Sequence, residues 1–173
     1  MDFRTLQPAL RIIMSTTITN TMPCPCGAIS ANTNAYSSYQ ECCQRLHSQS
    51  QLPKNALELM RSRPRAYYLG LVSYIIYTTD PHGPVFQADT KNWQDELESF
   101  CKNTQFLDLT ILATELADPK RQIVEFQAKI IQIGRDSLSN TPPQITSVMH
   151  EKSLFFHTDS RWLYHSPLEL DFA

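Results

Sequence analysis

The chain has little charge of either sign to spare. Its 173 residues carry fifteen Lys and Arg against seventeen Asp and Glu, a formal net charge of -2. No global electrostatic pull toward nucleic acid follows, although a local basic patch remains allowed. Long apolar runs are missing as well. A membrane-spanning helix needs about 20 apolar residues, and the longest run here, Leu69 to Tyr77, is interrupted by Gly70 and Ser73. We therefore expect no membrane span. A secretory signal is equally hard to find. Its apolar region should run unbroken for about 7 to 15 residues before a small-residue cleavage site, whereas Leu10 to Met14 is split by Arg11 and preceded by Pro8. Residues 1–22, with the Ser/Thr/Asn run Ser15 to Thr21 and alternative starts at Met14 and Met22, read as a flexible tail of a cytoplasmic protein. Catalytic strings are absent too. There is no Gly-x-Ser-x-Gly and no His-Glu-x-x-His, and Gly83 and Gly134 sit in turn contexts rather than in a phosphate loop.

What the chain does have is a concentration of cysteine. Hydrophobic residues make up 42% and charged residues 18%, enough for one packed domain with a small appendage. Four of the five cysteines fall in two pairs, Cys24 and Cys26 within Cys-Pro-Cys-Gly and Cys42 and Cys43 after Tyr39-Gln40-Glu41. Zinc takes four ligands in a tetrahedron, with thiolate sulfur at about 2.3 Å, and a Cys-x-Cys turn plus a second pair can complete that shell. Pro23 and Pro25 restrict the backbone around the first pair, and Gly27 can adopt the positive φ that tight metal turns need. Disulfides are the rival. They require an oxidising compartment, would leave one of five thiols over, and would strain adjacent Cys42 and Cys43. Reduced, buried thiols with no common ion are the remaining alternative. If the chain is helical from Cys42, His47 lies one turn after Cys43 and could replace Cys42 or Cys43 as a ligand; otherwise it is a solvated surface residue. Cys101, between Phe100 and Phe106, reads as a small core side chain.

Periodicity divides the remainder into helices and then strands. Leu57, Met60, Tyr67, Tyr68 and Leu71 recur at helical spacing after Asn55, and Leu71 to Thr78 forms a second short apolar stretch. The breaker Asp80-Pro81-His82-Gly83-Pro84 precedes a third helix over Asn92 to Phe100, with Trp93, Leu97 and Phe100 on one face. The period then changes. Phe106 to Ala117, Arg121 to Ile133, Ile145 to Thr158 and Arg161 to His165 read as strands. Helices followed by strands argue for an α+β domain with a curved antiparallel sheet. Alternation along that sheet puts Val124, Phe126 and Ala128 on one face and Glu151, Ser153 and Phe155 on one face of the next long strand, with the polar pair pointing inward. The tyrosines Tyr67, Tyr68, Tyr74 and Tyr77, with Trp93 and Trp162, read mainly as core.

These residues resemble a known family. Cys-Pro-Cys-Gly followed by Tyr-x-x-Cys-Cys is similar to the SEC-C zinc motif named for the C-terminus of the SecA translocation ATPase. The segment Leu59-Met60-Arg61-Ser62-Arg63 with Ala66-Tyr67 resembles the signature of the YchJ-like family of small bacterial proteins, and the likeness continues through Tyr74 to Thr78, Val124 to Ala128, His150 to Phe155 and Arg161 to Tyr164. The resemblance implies a zinc knuckle over residues 23–50 and a cone-shaped, nuclear-transport-factor-two-like (cystatin-like) domain over 53–168, with helices closing a pocket over the sheet. There are departures. The spacer between the cysteine pairs is longer than is usual and lacks the motif's lysine, a change that costs little because closure entropy grows slowly with loop length. Pro64 stands where the family shows an aromatic residue, so the helix is expected to kink or restart there. Many relatives carry a second SEC-C motif near the C-terminus and this chain shows one, which disfavours a function needing two.

Two function classes follow. The first is a non-enzymatic adaptor whose knuckle docks a protein or nucleic-acid partner while the cone takes a small-molecule ligand. The second is a small-molecule enzyme of isomerase, dehydratase or hydrolase type. The pocket residues expected are Arg61, Arg63, Tyr67, Glu151 and Ser153. A carboxylate beside Phe155 is costly to bury without a cation, so Glu151 is expected to meet Arg61 or Arg63. His150 should face the opposite side of the sheet and makes a poor catalytic partner for Glu151.

Overall fold

A computed structural model describes residues 23–24, 26–27, 37–133 and 144–173. The tail over 1–22, Pro25, the spacer from 28 to 36 and the turn from Gly134 to Pro143 lie outside the described residues. A π-helical turn, Gln40–Gln44, leads into a short α1, Arg45–His47. Three further helices follow, α2 (Ala56–Leu69), α3 (Val72–Tyr77) and α4 (Thr90–Asn103). Local chemistry sets their ends. The Asn55 side chain accepts from the Glu58 N–H at 2.8 Å to start α2, a cap of the Asn-x-x-Glu type. Gly70, at φ 66°, stops it, with its own N–H on Tyr67 O and the Leu71 N–H on Ala66 O. Asp89 caps α4 by accepting from Asn92.

The strands β1 (Thr104–Asp118), β2 (Arg121–Ile133), β3 (Gln144–Thr158) and β4 (Arg161–Phe172) form one antiparallel sheet in the order β1-β2-β3-β4. Register shifts interrupt β1 against β2 near Leu107, Leu112 and Ala117, and β4 against β3 near His165 and Leu168. Each extra residue increases local twist and bends the edge strands around the centre. The concave face so formed carries Val124, Phe126, Ala128, Ile130, Met149 and Phe155, against which α2 and α3 pack Ala56, Leu59, Met60, Ala66, Tyr74 and Ile75. The expected α+β architecture, helices over a bent antiparallel sheet with a small cysteine-bearing appendage before it, is the one observed.

Three local readings change. Helix α2 passes through Pro64 without ending, because its flanks are anchored on the sheet and tertiary burial outweighs one lost helical bond. Its buried face includes Ser62, Arg63 and Arg65, whereas Tyr68 is exposed, since long arginine stems bury well along apolar surface. Strand β4 runs past His165 to Phe172 despite Pro167, which an edge strand tolerates because its outward N–H has no ladder partner to lose.

Candidate metal centre and cavity

Two backbone turns bring the four cysteines together. The Cys24 N–H donates to Ser37 O at 2.7 Å beside an antiparallel bridge from Pro23 to Ser38, which fixes the first arm to the second. Gly27 then turns back at φ 70°, its N–H on Cys24 O, with Arg61 Nη1 3.6 Å from where a Cβ would project. On the second arm, Ser38 Oγ accepts the Glu41 N–H and donates to its carboxylate, starting the π turn. The sulfurs of Cys24, Cys26, Cys42 and Cys43 all lie within 4.8 Å of one another. Cys24 to Cys43 is 3.4 Å, Cys26 to Cys42 is 3.3 Å and Cys42 to Cys43 is 3.8 Å. These are not bonded pairs, since a disulfide is about 2.05 Å long. A tetrahedron with arms of about 2.3 Å has edges of about 3.8 Å, so the spacing and the soft donor set fit a metal ion that takes four thiolates. Ionisation of the cluster is strongly unequal. Hydrogen bonding among the sulfurs pulls the Cys24 thiol far below its usual range and holds Cys42 and Cys43 far above theirs. Four thiolates cannot coexist at this spacing unless a cation offsets their repulsion, which a coordinated metal does.

The residues around the cluster fix it to α2. His47 is neither a ligand nor a solvated residue: one ring nitrogen meets Tyr39 Oη at 2.9 Å and the other meets Ser62 O at 3.0 Å. Burial holds its pKa below the usual histidine range. Arg61 donates to Cys26 O at 2.7 Å and does not line the cone's cavity, which corrects its expected place; it lies on the face of α2 shared with Arg65, one turn on, rather than on the face of Arg63. Arg65, 5% exposed, lies over the rings of Tyr68 at 4.4 Å and Tyr39 at 5.6 Å. Tyr39 is itself buried against Cys24, Cys26 and Cys43. The sequence showed the cysteines but not these partners, because Arg65 reads as one basic residue among several until the fold stacks it on Tyr39.

A second feature lies between α2, α4 and the sheet. A cavity of about 280 Å³ is walled by Met60, Arg63, Pro64 and Tyr67 from α2, Phe100 from α4, and Phe106, Phe126, Glu151, Ser153, Phe155 and Tyr164 from the sheet, with Leu170 and Phe172 on β4. Glu151 Oε1 accepts from Ser153 and, at 3.0 Å, from Tyr164 Oη. The expected pairing of Glu151 with arginine is not made. Arg63 instead turns Nη1 toward Ile75 O, Thr78 Oγ1 and Thr79 Oγ1 and lies under the Tyr164 ring at 4.6 Å. Desolvation raises the pKa of Tyr67 and Tyr164, and the Glu151 charge adds to both shifts. His150 faces away and bonds Glu125 at 2.8 Å. Tyr164 went unremarked as a pocket residue, although its two-residue offset from Trp162 was a signal in the sequence. Cys101 is half-buried against the core. Among the described residues, no helix is long and apolar enough to cross a membrane.

The sequence model of the family described as YchJ, middle NTF2-like domain, matches residues 55–167. A UPF0225 protein of Pectobacterium carotovorum is 36% identical over 127 residues, 73% of this chain and 74% of that protein. One of Bordetella pertussis is 33% identical over 144 residues, covering 82% and 88%. The solution structure of a SEC-C motif containing protein from Rhodopseudomonas palustris superposes with a TM-score of 0.61 at 26% identity, covering 87% of this chain and 100% of that one. The crystal structure of a SEC-C motif containing protein from Psychrobacter arcticus gives 0.58 at 25%, covering 86% and 83%.

Proposed function

The chain belongs to the YchJ family, and on that premise we propose that it is a non-enzymatic binding module of the cytoplasm, in which a zinc knuckle over residues 23–50 docks a macromolecular partner and the domain over 53–168 takes a small ligand. The observation that carries this reading is the four-sulfur cluster, with all four sulfurs within 4.8 Å of one another, three of the pairs at 3.3 to 3.8 Å, and Cys24, Cys26 and Cys43 buried. Cys24, Cys26, Cys42 and Cys43 would hold the ion. Zinc, when bound, supplies a cross-link between the two arms and offsets part of the thiolate charge. Four protein ligands leave no coordination position for water, so the site suits structure and docking rather than hydrolysis. A protein partner fits better than nucleic acid, because the net charge of -2 gives no polyanion attraction.

Elemental analysis should give one zinc per chain, with the four clustered thiols unreactive until a chelator is added. Much less than one zinc, with those thiols freely reactive, would end this reading. The competing enzyme reading draws on Glu151, Ser153 and Tyr164 in the cavity. A metabolite that stabilises the wild type, loses that effect in Glu151→Gln and is chemically converted would favour it over ligand binding alone.

A further inference from the structure

The cavity reading can be taken to a ligand class. Glu151 is a half-buried carboxylate in a wall made mostly of aromatic and aliphatic side chains. Ser153 and Tyr164 both donate to Oε1, which leaves Oε2 as an accepting oxygen. Among the described residues no basic side chain forms an ion pair with it. Arg63, the basic group in the same wall, is 7% exposed, has Nη1 turned toward Ile75, Thr78 and Thr79, and is covered by the Tyr164 ring. The accessible charge is therefore negative. The rings of Tyr67, Phe100 and Phe106 contact one another at 5.5 to 6.4 Å in the opposite wall. A carboxylate without a basic partner and aromatic faces together favour a cation.

Resting on the proposal that the cone binds a ligand, we infer that the ligand is a small apolar amine, its ammonium on Glu151 and its hydrocarbon body among Tyr67, Phe100 and Phe106. The volume of about 280 Å³ limits it to a compact molecule. The test compares phenethylamine, 2-phenylethanol and 3-phenylpropionate, which share a body and differ in head group, by titration of the zinc-loaded full chain with methyl NMR of Met60 and Met149. The amine should bind at least about 10-fold more tightly than the alcohol and the acid, and Glu151→Gln should remove that margin while leaving the alcohol unchanged. Tightest binding by the acid or the alcohol would overturn the amine assignment and leave the cavity as a binding site. No shift of either methionine methyl with any of the three would overturn the ligand-binding proposal and this inference with it.

A different observation concerns Arg65. It is nearly fully buried, its Nε makes no hydrogen bond, and among the described residues no carboxylate pairs with it. A buried, uncompensated guanidinium is costly. It shares a crevice of about 20 Å³ with Cys26 and stacks on Tyr39, which packs against three of the four cysteines. A divalent ion held by four thiolates carries two net negative charges. The geometry points to Arg65 as the positioning counter-charge of that loaded cluster. Chelator competition should show Arg65→Gln releasing zinc about 10- to 100-fold more readily, with Arg65→Lys intermediate. In the metal-free protein Arg65→Met should not destabilise, because it removes a charge that then has no counterpart. Zinc affinity within twofold of wild type in Arg65→Gln, at unchanged circular dichroism, would overturn this role. A wild type that binds no zinc would overturn both the metal reading and this one.

Discussion

The knuckle and the cone treat their ionisable groups in opposite ways. The knuckle gathers four thiols into one small volume, while the cone disperses its few charges, turning Arg63 to threonines and holding Glu151 with two hydroxyls. The first arrangement is a donor set that fits an external cation. In the second the fold supplies the hydrogen bonds that hold each group, and only Glu151 Oε2 is left open to a ligand. It follows that metal should govern the stability of one part and apolar packing that of the other.

Several experiments would break or sharpen that division. The largest effect is expected from Cys43→Ser, which should lower zinc affinity by more than about 100-fold and remove hydrogen-exchange protection in residues 37–50 while β2 and β3 keep theirs. Loss of protection throughout the sheet would show that the two parts fold as one. Next, Phe155→Ala in the cone, where the ring is 1% exposed, should cost about 3–5 kcal/mol in denaturant unfolding with zinc stoichiometry unchanged. A smaller effect concerns pH. His47, held between Tyr39, Tyr74 and Ser62 and near the charges of Cys24 and Arg65, has a folded pKa lowered by burial. The unfolded chain then binds the proton more readily, so this contribution is complete above about pH 6.5 and is lost as pH falls through the folded value. His47→Gln should flatten the stability profile below pH about 6.5, measured at pH values where zinc content is unchanged. The smallest expected effect is Asn55→Ala, which removes the cap of α2 for about 1 kcal/mol and leaves zinc affinity alone.

Much of the architecture was legible. Helical spacing after Asn55, the breaker at Asp80 to Pro84 and period-two strands from Phe106 onward correspond to α2, α3, α4 and the sheet. The cysteine pairs also indicated convergence, because a Cys-x-Cys turn and a second pair close in sequence can complete one tetrahedral shell. The errors fall where sequence offers only residue type. Arg61, Arg63 and Arg65 look alike in one helix, yet one holds Cys26 O, one holds Thr78 and Thr79, and one stacks on Tyr39 and Tyr68. Arg61 and Arg65, one turn apart, share the face toward the cysteines while Arg63 points to the other side of α2, and no local pattern records which element lies on each face.

By itself, then, the sequence determined the order of elements, the inward face of β2 and the meeting of four cysteines, because periodicity and short spacing act within a few residues. Tertiary structure alone decided that Glu151 meets Ser153 and Tyr164 instead of an arginine, that His47 bridges Tyr39 to Ser62, and that Arg65 comes to lie beside the cluster. Those partners are selected by how helix and sheet pack, where burial leaves each polar group only the acceptors and donors that the opposing surface happens to present.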